Sequence, residues 1–272
     1  MNYIDKDKKY IYLINQILGE NRHQFIYGYD NAMRKKLIED LDREFPVIMD
    51  NNVPMSIHLN DIGFTSVDAY ELDLDEEKIN VLSREFLTFS IIYDILLKTK
   101  ENIDVDLFNS RIERLLYIIN KYDKNPDYSN INSLDDLISV VLESKEFYKV
   151  YYNNYLTGKK LQSIDEIALP FLQIESFITQ YKKALNNGSH FAIIVDKKST
   201  DIALPSIKQI NSLIGSRINK NISMKVIVEP TMWESYITSN GQYVDNIHDY
   251  GTIELDDSHK EYVKRLKERN RL

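Results

Sequence analysis

Two largely apolar runs constrain this chain more than any other feature. HFAIIVD at 190–196 and SMKVIVEP at 223–230 place apolar residues at consecutive positions rather than alternate ones. A strand with one wet face alternates, so such runs predict strands buried on both faces, as in a parallel sheet covered by helices. Between them Pro205 opens a predicted helix, PSIKQINSLIGSRI, giving the strand–helix–strand order that a parallel pair requires.

The N-terminal region has the same grammar. Tyr10, Leu13, Ile14 and Ile17 share one face of a helix that Gly19 is placed to end. Phe25-Ile26-Tyr27 reads as a strand, and Asp30 or Asn31 can cap the helix that follows. That helix sets Leu37, Ile38, Leu41 and Phe45 on one side, and Pro46 stops it. In PMSIHLNDIGF, Met55, Ile57 and Leu59 alternate with Ser56 and His58, a second strand. From Leu74 to about Asn187 the period becomes helical, through DEEKINVLSREFLTFSIIYDILLKTK, DVDLFNSRIERLLYIINKY, SLDDLISVVLESKEFYKVYYNNYLTG and SIDEIALPFLQIESFITQYKKALNNG. After the last apolar run, Asn240-Gly241 in MWESYITSNGQYVDNI predicts a hairpin with a two-residue type I′ turn. YGTIELDD reads as a final strand and SHKEYVKRLKERNRL as a charged terminal helix.

The fold class predicted is α/β: a mostly parallel sheet built from residues 1–73 and 188–272, with a helical insertion, 74–187, after the second strand and a C-terminal hairpin. The opening strand and the strand ending at Asp196 are expected side by side in that sheet, aiming their carboxyl ends at one crevice.

A net charge of −8 rules out a global basic field that would recruit nucleic acid or anionic membrane. The absence of cysteine removes disulfides, thiolate nucleophiles and cysteine metal sites, and suits the cytoplasm. No stretch approaches the ~20 apolar residues of a membrane span, and the N-terminus lacks the apolar core of a secretion signal.

FIYGYDNAMRKKLIEDL, residues 25–41, is the segment where chemistry is expected. A strand entering a glycine turn and a helix start aims free backbone N–H groups at one point, an anion site. A full phosphate loop has a second glycine, a lysine and a hydroxyl at set positions after the first glycine. Counted from Gly28, those positions hold Met33, Arg34 and Lys35. Arg34 keeps the cation as a planar fork, Lys35 cannot coordinate magnesium, and Asp30 adds negative charge. Arg34, Lys35 and Lys36 crowd a first turn where cations are disfavoured by roughly 0.3–1 kcal/mol each, a cost that an anion would reverse. The alternative is that they face water or pair with Glu39 and Asp40.

Asp196 ends its strand as a magnesium-holding aspartate would, or as a strand-end turn residue; Lys197 and Lys198 follow it. His23, His58, His190, His248 and His259 have no zinc-ligand spacing and read as core or surface residues. Trp233 is either core or an exposed anchor, and Tyr148, Tyr152 and Tyr155 form a packed helical stripe rather than a base-stacking platform.

Taken together, FIYGYDNAMRKKLIEDL, PMSIHLNDIGF, HFAIIVDKKS and ISMKVIVEPTMWESYITSNGQYVDNIHDYGTIELD resemble the P-loop core of AAA-type ATPases, nearest to bacterial proteins of the origin-recognition-complex branch. The resemblance implies a first strand with its loop, a strand with the metal-binding aspartate and then a sensor strand, with helices between the second and third strands. Nucleotide would lie at Gly28, Tyr29, Asp30, Asn31, Arg34 and Lys35, with magnesium on Asp196 and Glu229 near the γ-phosphate; ATP and Mg²⁺ are the implied cofactors. The pattern is broken at 33–35, Lys197 replaces the water-positioning glutamate, and the small helical lid with its second sensor arginine is expected to be missing. The first expectation is therefore a pseudo-ATPase without catalytic residues, acting through a protein partner or self-association. A nucleotide binder or slow ATPase is the second. A nucleic-acid-associated module using the basic turn and Lys197-Lys198 is the third.

Overall fold

A computed structural model describes residues 3–28, 31–43, 55–58, 75–102, 131–156, 174–185, 190–196, 204–216, 221–229 and most of 231–256, with isolated residues elsewhere. In chain order the elements are α1 (Tyr3–Gly19), β1 (His23–Tyr27), α2 (Asn31–Arg43), β2 (Met55–His58), α3 (Glu76–Asn102), α4 (Leu134–Leu156), α5 (Ile174–Leu185), β3 (Phe191–Asp196), α6 (Leu204–Gly215), β4 (Ile222–Val228) and β5 (Tyr250–Glu254). The chain divides into two compact units. One comprises 1–58, 189–199 and 210–272; the other comprises 59–188 and 200–209.

All five strands lie in the first unit, in one sheet of order β2-β3-β4-β1-β5, and every pairing is parallel. The apolar runs that announced β3 and β4 are buried at every position. β1 and β3 do share this sheet with their carboxyl ends on the same edge, but β4 lies between them. The expected adjacency of β1 and β3 is thus corrected by one strand. Local sequence sets strand character, whereas the order of strands is a property of long-range pairing.

One face of the sheet carries Ile26, Ala192, Ile194, Ile227 and Ile253, covered by Ile14, Ile17 and Leu18 of α1 and Leu37 and Leu41 of α2. The described part of the stripes read from helical spacing therefore does the covering, with Leu13 and Ile38 packed against it; Phe45 and the Tyr10 side chain lie outside the described residues. On β1 the opposite face carries Phe25 and Tyr27, and Phe25 meets Trp233 edge-on at 5.2 Å and Tyr250 at 4.6 Å. Trp233 is core, its indole N–H donating to Asn211 Oδ1 at 3.2 Å.

The predicted hairpin exists as a bridge between Ile237 and Tyr243, with a different turn. The Gly241 N–H donates to the Thr238 carbonyl at 3.0 Å and the Thr238 N–H to that of Gln242 at 2.8 Å. Gly241 has φ +83°. That is a three-residue loop with glycine in the left-handed position, rather than a two-residue type I′ turn.

In the second unit α3 packs along α4, with Phe89 stacked on Tyr148 at 5.5 Å. Tyr148 and Tyr151 are buried, as the packed-stripe reading requires of Tyr148. The α3–α5 contact is fixed by Thr99, whose hydroxyl bonds the Tyr181 hydroxyl at 2.5 Å and donates to the Ile95 carbonyl at 2.7 Å. The predicted helix at 104–122 and the terminal helix at 258–272 lie outside the described residues, apart from single positions.

Candidate functional site

The order β2-β3-β4-β1 means that the segment after β1 must pass over β4 and β3 before the chain enters β2 at the sheet edge. α2 belongs to that passage, so its first turn overlies the carboxyl ends of the strands. Arg34 sits three residues before Leu37 and seven before Leu41, in line with the buried stripe of the helix. It is carried inward. Lys35 and Lys36, turned by roughly 100° and 200° around a helix of 3.6 residues per turn, are exposed.

Arg34 Nη1 lies 3.1 Å from Asp196 Oδ1, and both side chains are more than nine-tenths buried. Arg34 Nε, also buried, has no hydrogen-bond acceptor among the described residues. The two residues singled out as phosphate-facing cation and magnesium-holding carboxylate are brought together, and they hold one another.

Gly28 closes β1 and is buried. Its N–H reaches the Val228 carbonyl at 3.4 Å, while the Leu255 N–H donates to the Tyr27 carbonyl at 2.8 Å. A Cβ added at Gly28 would fall 2.9 Å from Leu255 Cβ and 3.4 Å from an Asp256 carboxylate oxygen. The glycine therefore has a packing reason to be there: it lets the segment after β5 lie against the end of β1. Tyr29 and Asp30 lie outside the described residues, as do Lys197 and Lys198. Asn31 opens α2, and Lys35 faces solvent. Glu229, just past β4, is half-buried.

Sequence reasoning missed a polar group at the opposite, amino edge of the sheet. Lys225 is fully buried in mid-β4, and Nζ donates to the carbonyls of Glu20 and Arg22 at 2.8 Å each and to Gln24 Oε1 at 2.6 Å. Three acceptors match the three protons of an ammonium. Burial nevertheless pulls its pKa down to about 7. Beside it, His23 Nδ1 accepts the Met224 N–H at 2.9 Å, and His190 Nε2 bonds the Ser223 hydroxyl at 2.8 Å. Desolvation, then the Lys225 charge and then His190 push His23 down to about 4, against a smaller opposing effect of Asp249. The available signal was a lone lysine inside ISMKVIV. His23 and His190 are buried core residues and His248 is exposed. Among the described residues no group of three histidine, aspartate or glutamate side chains is placed to hold a metal. No described helix is long and apolar enough to cross a membrane.

Compared with family models, with curated proteins and with solved structures, the chain finds no match.

Proposed function

We propose that this chain is a pseudo-ATPase: an ATPase-like α/β core that acts through protein contacts in a larger, cytoplasmic assembly rather than by nucleotide turnover. The observation that carries this reading is the buried Arg34–Asp196 ion pair. The likeness to an AAA-type core draws support from β3, β4 and β1 lying as consecutive parallel neighbours with their carboxyl ends on one edge. These are the strands to which that likeness assigns the metal aspartate, the sensor position and the loop.

The groups present do not fit a magnesium–nucleotide held at this edge. Asp196 Oδ1 is already on Arg34, so a cation held by Asp196 would be brought beside a buried guanidinium, like charge against like. The Gly28 N–H is directed at Val228, and a solvent-facing lysine stands at position 35 where a hydroxyl is needed. A core that resists nucleotide in this way retains its surfaces as its means of action.

The test is thermal denaturation with and without millimolar ATP and Mg²⁺. The expected outcome is an unchanged Tm. A ligand present at a hundred times its Kd would stabilise the native state by about 2.7 kcal/mol. A rise of several degrees that disappears in Arg34→Ala would overturn the proposal and install the nucleotide-binding reading.

A further inference from the structure

On α4 the side facing α3 is set by Leu137, Val141, Tyr148 and Tyr151, all buried, and by Lys145, whose Nζ sits 5.8 Å from the ring centre of Phe86 and 5.2 Å from that of Tyr93. The other side has a pattern of its own. From 134 to 151 the exposed positions are Asp135, Asp136, Ser139, Glu143, Glu146, Phe147 and Val150. Among these described residues the helix exposes acids, apolar groups and Ser139 but no lysine or arginine, since Lys145 is buried and Lys149 half-buried.

Val140, Phe147 and Val150 lie seven and three residues apart, the spacing of a seam that a second helix covers, with Val140 itself half-buried. Phe147 is 48% exposed and Val150 55%, neighbours on that seam and not scattered single residues. Glu143 and Glu146 lie beside them; Asp136, one turn before Val140, accepts the Asn132 N–H at 3.1 Å in capping the helix. Asp135, off the seam, is already paired with Lys100 at 2.6 Å.

We infer that this face of α4 is a docking surface for a basic amphipathic helix of a partner protein. Apolar positions of that helix would cover Phe147 and Val150. Lysine or arginine at its flanking positions would answer Glu143 and Glu146, as flanking charges select partners in helix pairs. The inference gives a partner class to the contact-based function proposed above and rests on that reading. The two fail separately, because nucleotide-dependent stabilisation would remove the pseudo-ATPase reading without changing what binds α4.

The experiment uses the full chain and two fluorescent helical peptides of about 21 residues, three heptads with leucine at the seam. One carries lysine and arginine at the flanking positions and the other glutamate. In fluorescence anisotropy the basic peptide should bind and the acidic one should not. The variant Phe147→Ser/Val150→Ser, which leaves every charge in place, should weaken binding at least tenfold, while Ile11→Ser/Tyr12→Ser on α1 should not. Added salt should weaken the wild-type complex further. If the serine variant misfolds by circular dichroism, Glu143→Lys/Glu146→Lys replaces it and should transfer preference to the acidic peptide. Equal binding by wild type and variant would overturn the inference. So would sedimentation showing a wild-type dimer that these substitutions dissolve, because a second copy would then cover the seam.

Discussion

Arg34 and Asp196 stand 162 residues apart in the chain and 3.1 Å apart in space. The contact ties the first turn of α2 to the end of β3 across the intervening β4. Both charges have been taken out of water. Asp196→Ala should cost about 3–5 kcal/mol, because the buried Arg34 charge is left uncompensated, and Arg34→Ala less, because Asp196 keeps a further interaction. Replacing both together, as Arg34→Met/Asp196→Leu, should recover most of that loss. Urea denaturation of the four proteins measures the cycle. Single variants as stable as the parent would mean that the pair does not form, and the proposed function would lose its carrying observation.

Gly28 makes a second, independent claim about the same edge. Gly28→Ala places a methyl 2.9 Å from Leu255 Cβ, closer than unstrained side chains approach. Overpacking of this kind typically costs about 1–3 kcal/mol. Leu255→Ala leaves that Cβ in place but removes the Leu255 Cδ1 that would lie 3.3 Å away, so the pair should couple only partly in a double-mutant cycle. If Gly28→Ala is instead neutral in denaturant titration, the glycine is not serving strand packing.

How much of this could be read in advance depends on the distance over which each feature is set. The double burial of β3 and β4 was visible because every residue of FAIIVD answers to it. The α2 stripe was visible because 3.6-residue spacing alone places Leu37 and Leu41 together. The same spacing already separated Arg34 from Lys35 and Lys36. Reading the three as one basic cluster hid that Arg34 continues the buried stripe. Its meeting with Asp196 needs the strand order as well, which no local pattern contains. The Asn240-Gly241 signal located the hairpin but not its turn, since two- and three-residue loops both want glycine with positive φ. Lys225 was invisible for a plainer reason. Its three acceptors come from the α1–β1 turn and β1, about 200 residues earlier in the chain.

His23 gives the sheet a predicted acid sensitivity. Its pKa falls from 6.5 to about 4 on folding, because burial strips the charged ring of water and the Lys225 and then His190 charges add to that, with Asp249 opposing. The folded state therefore binds fewer protons than the unfolded state between those two values. Stability is whole above about pH 6.5 and is lost as pH falls towards 4, by roughly 3 kcal/mol at 1.36 kcal/mol per pKa unit. His23→Gln should flatten that part of the stability–pH curve. Chemical denaturation at half-unit steps from pH 4 to 7 checks it, and parallel curves for parent and variant would show that His23 titrates normally.

Asn211 offers the last prediction, at a locus that reports on itself. Its buried amide donates to the carbonyls of Ser235 and Ile237 at 2.9 Å each and accepts the Trp233 indole N–H at 3.2 Å. One side chain on α6 thus satisfies three groups of the segment leading into the hairpin. Asn211→Leu keeps the branched outline in a bulkier side chain and removes all three bonds, leaving a buried indole N–H and two part-buried carbonyls without this partner, at about 1–3 kcal/mol for each group that water cannot reach. A total loss of about 2–4 kcal/mol is expected, with some relaxation of the loop. One residue along, Ser212 Oγ accepts the Ser239 N–H at 3.0 Å in a part-buried setting, so Ser212→Ala should cost only about 1 kcal/mol. Trp233 is the single tryptophan of the chain, so its fluorescence isolates the effect. Emission should shift to the red in Asn211→Leu, as the indole finds water instead of the amide, and should hardly move in Ser212→Ala. An unshifted spectrum together with unchanged stability in Asn211→Leu would mean that the segment from Trp233 to Thr238 is anchored by something other than α6.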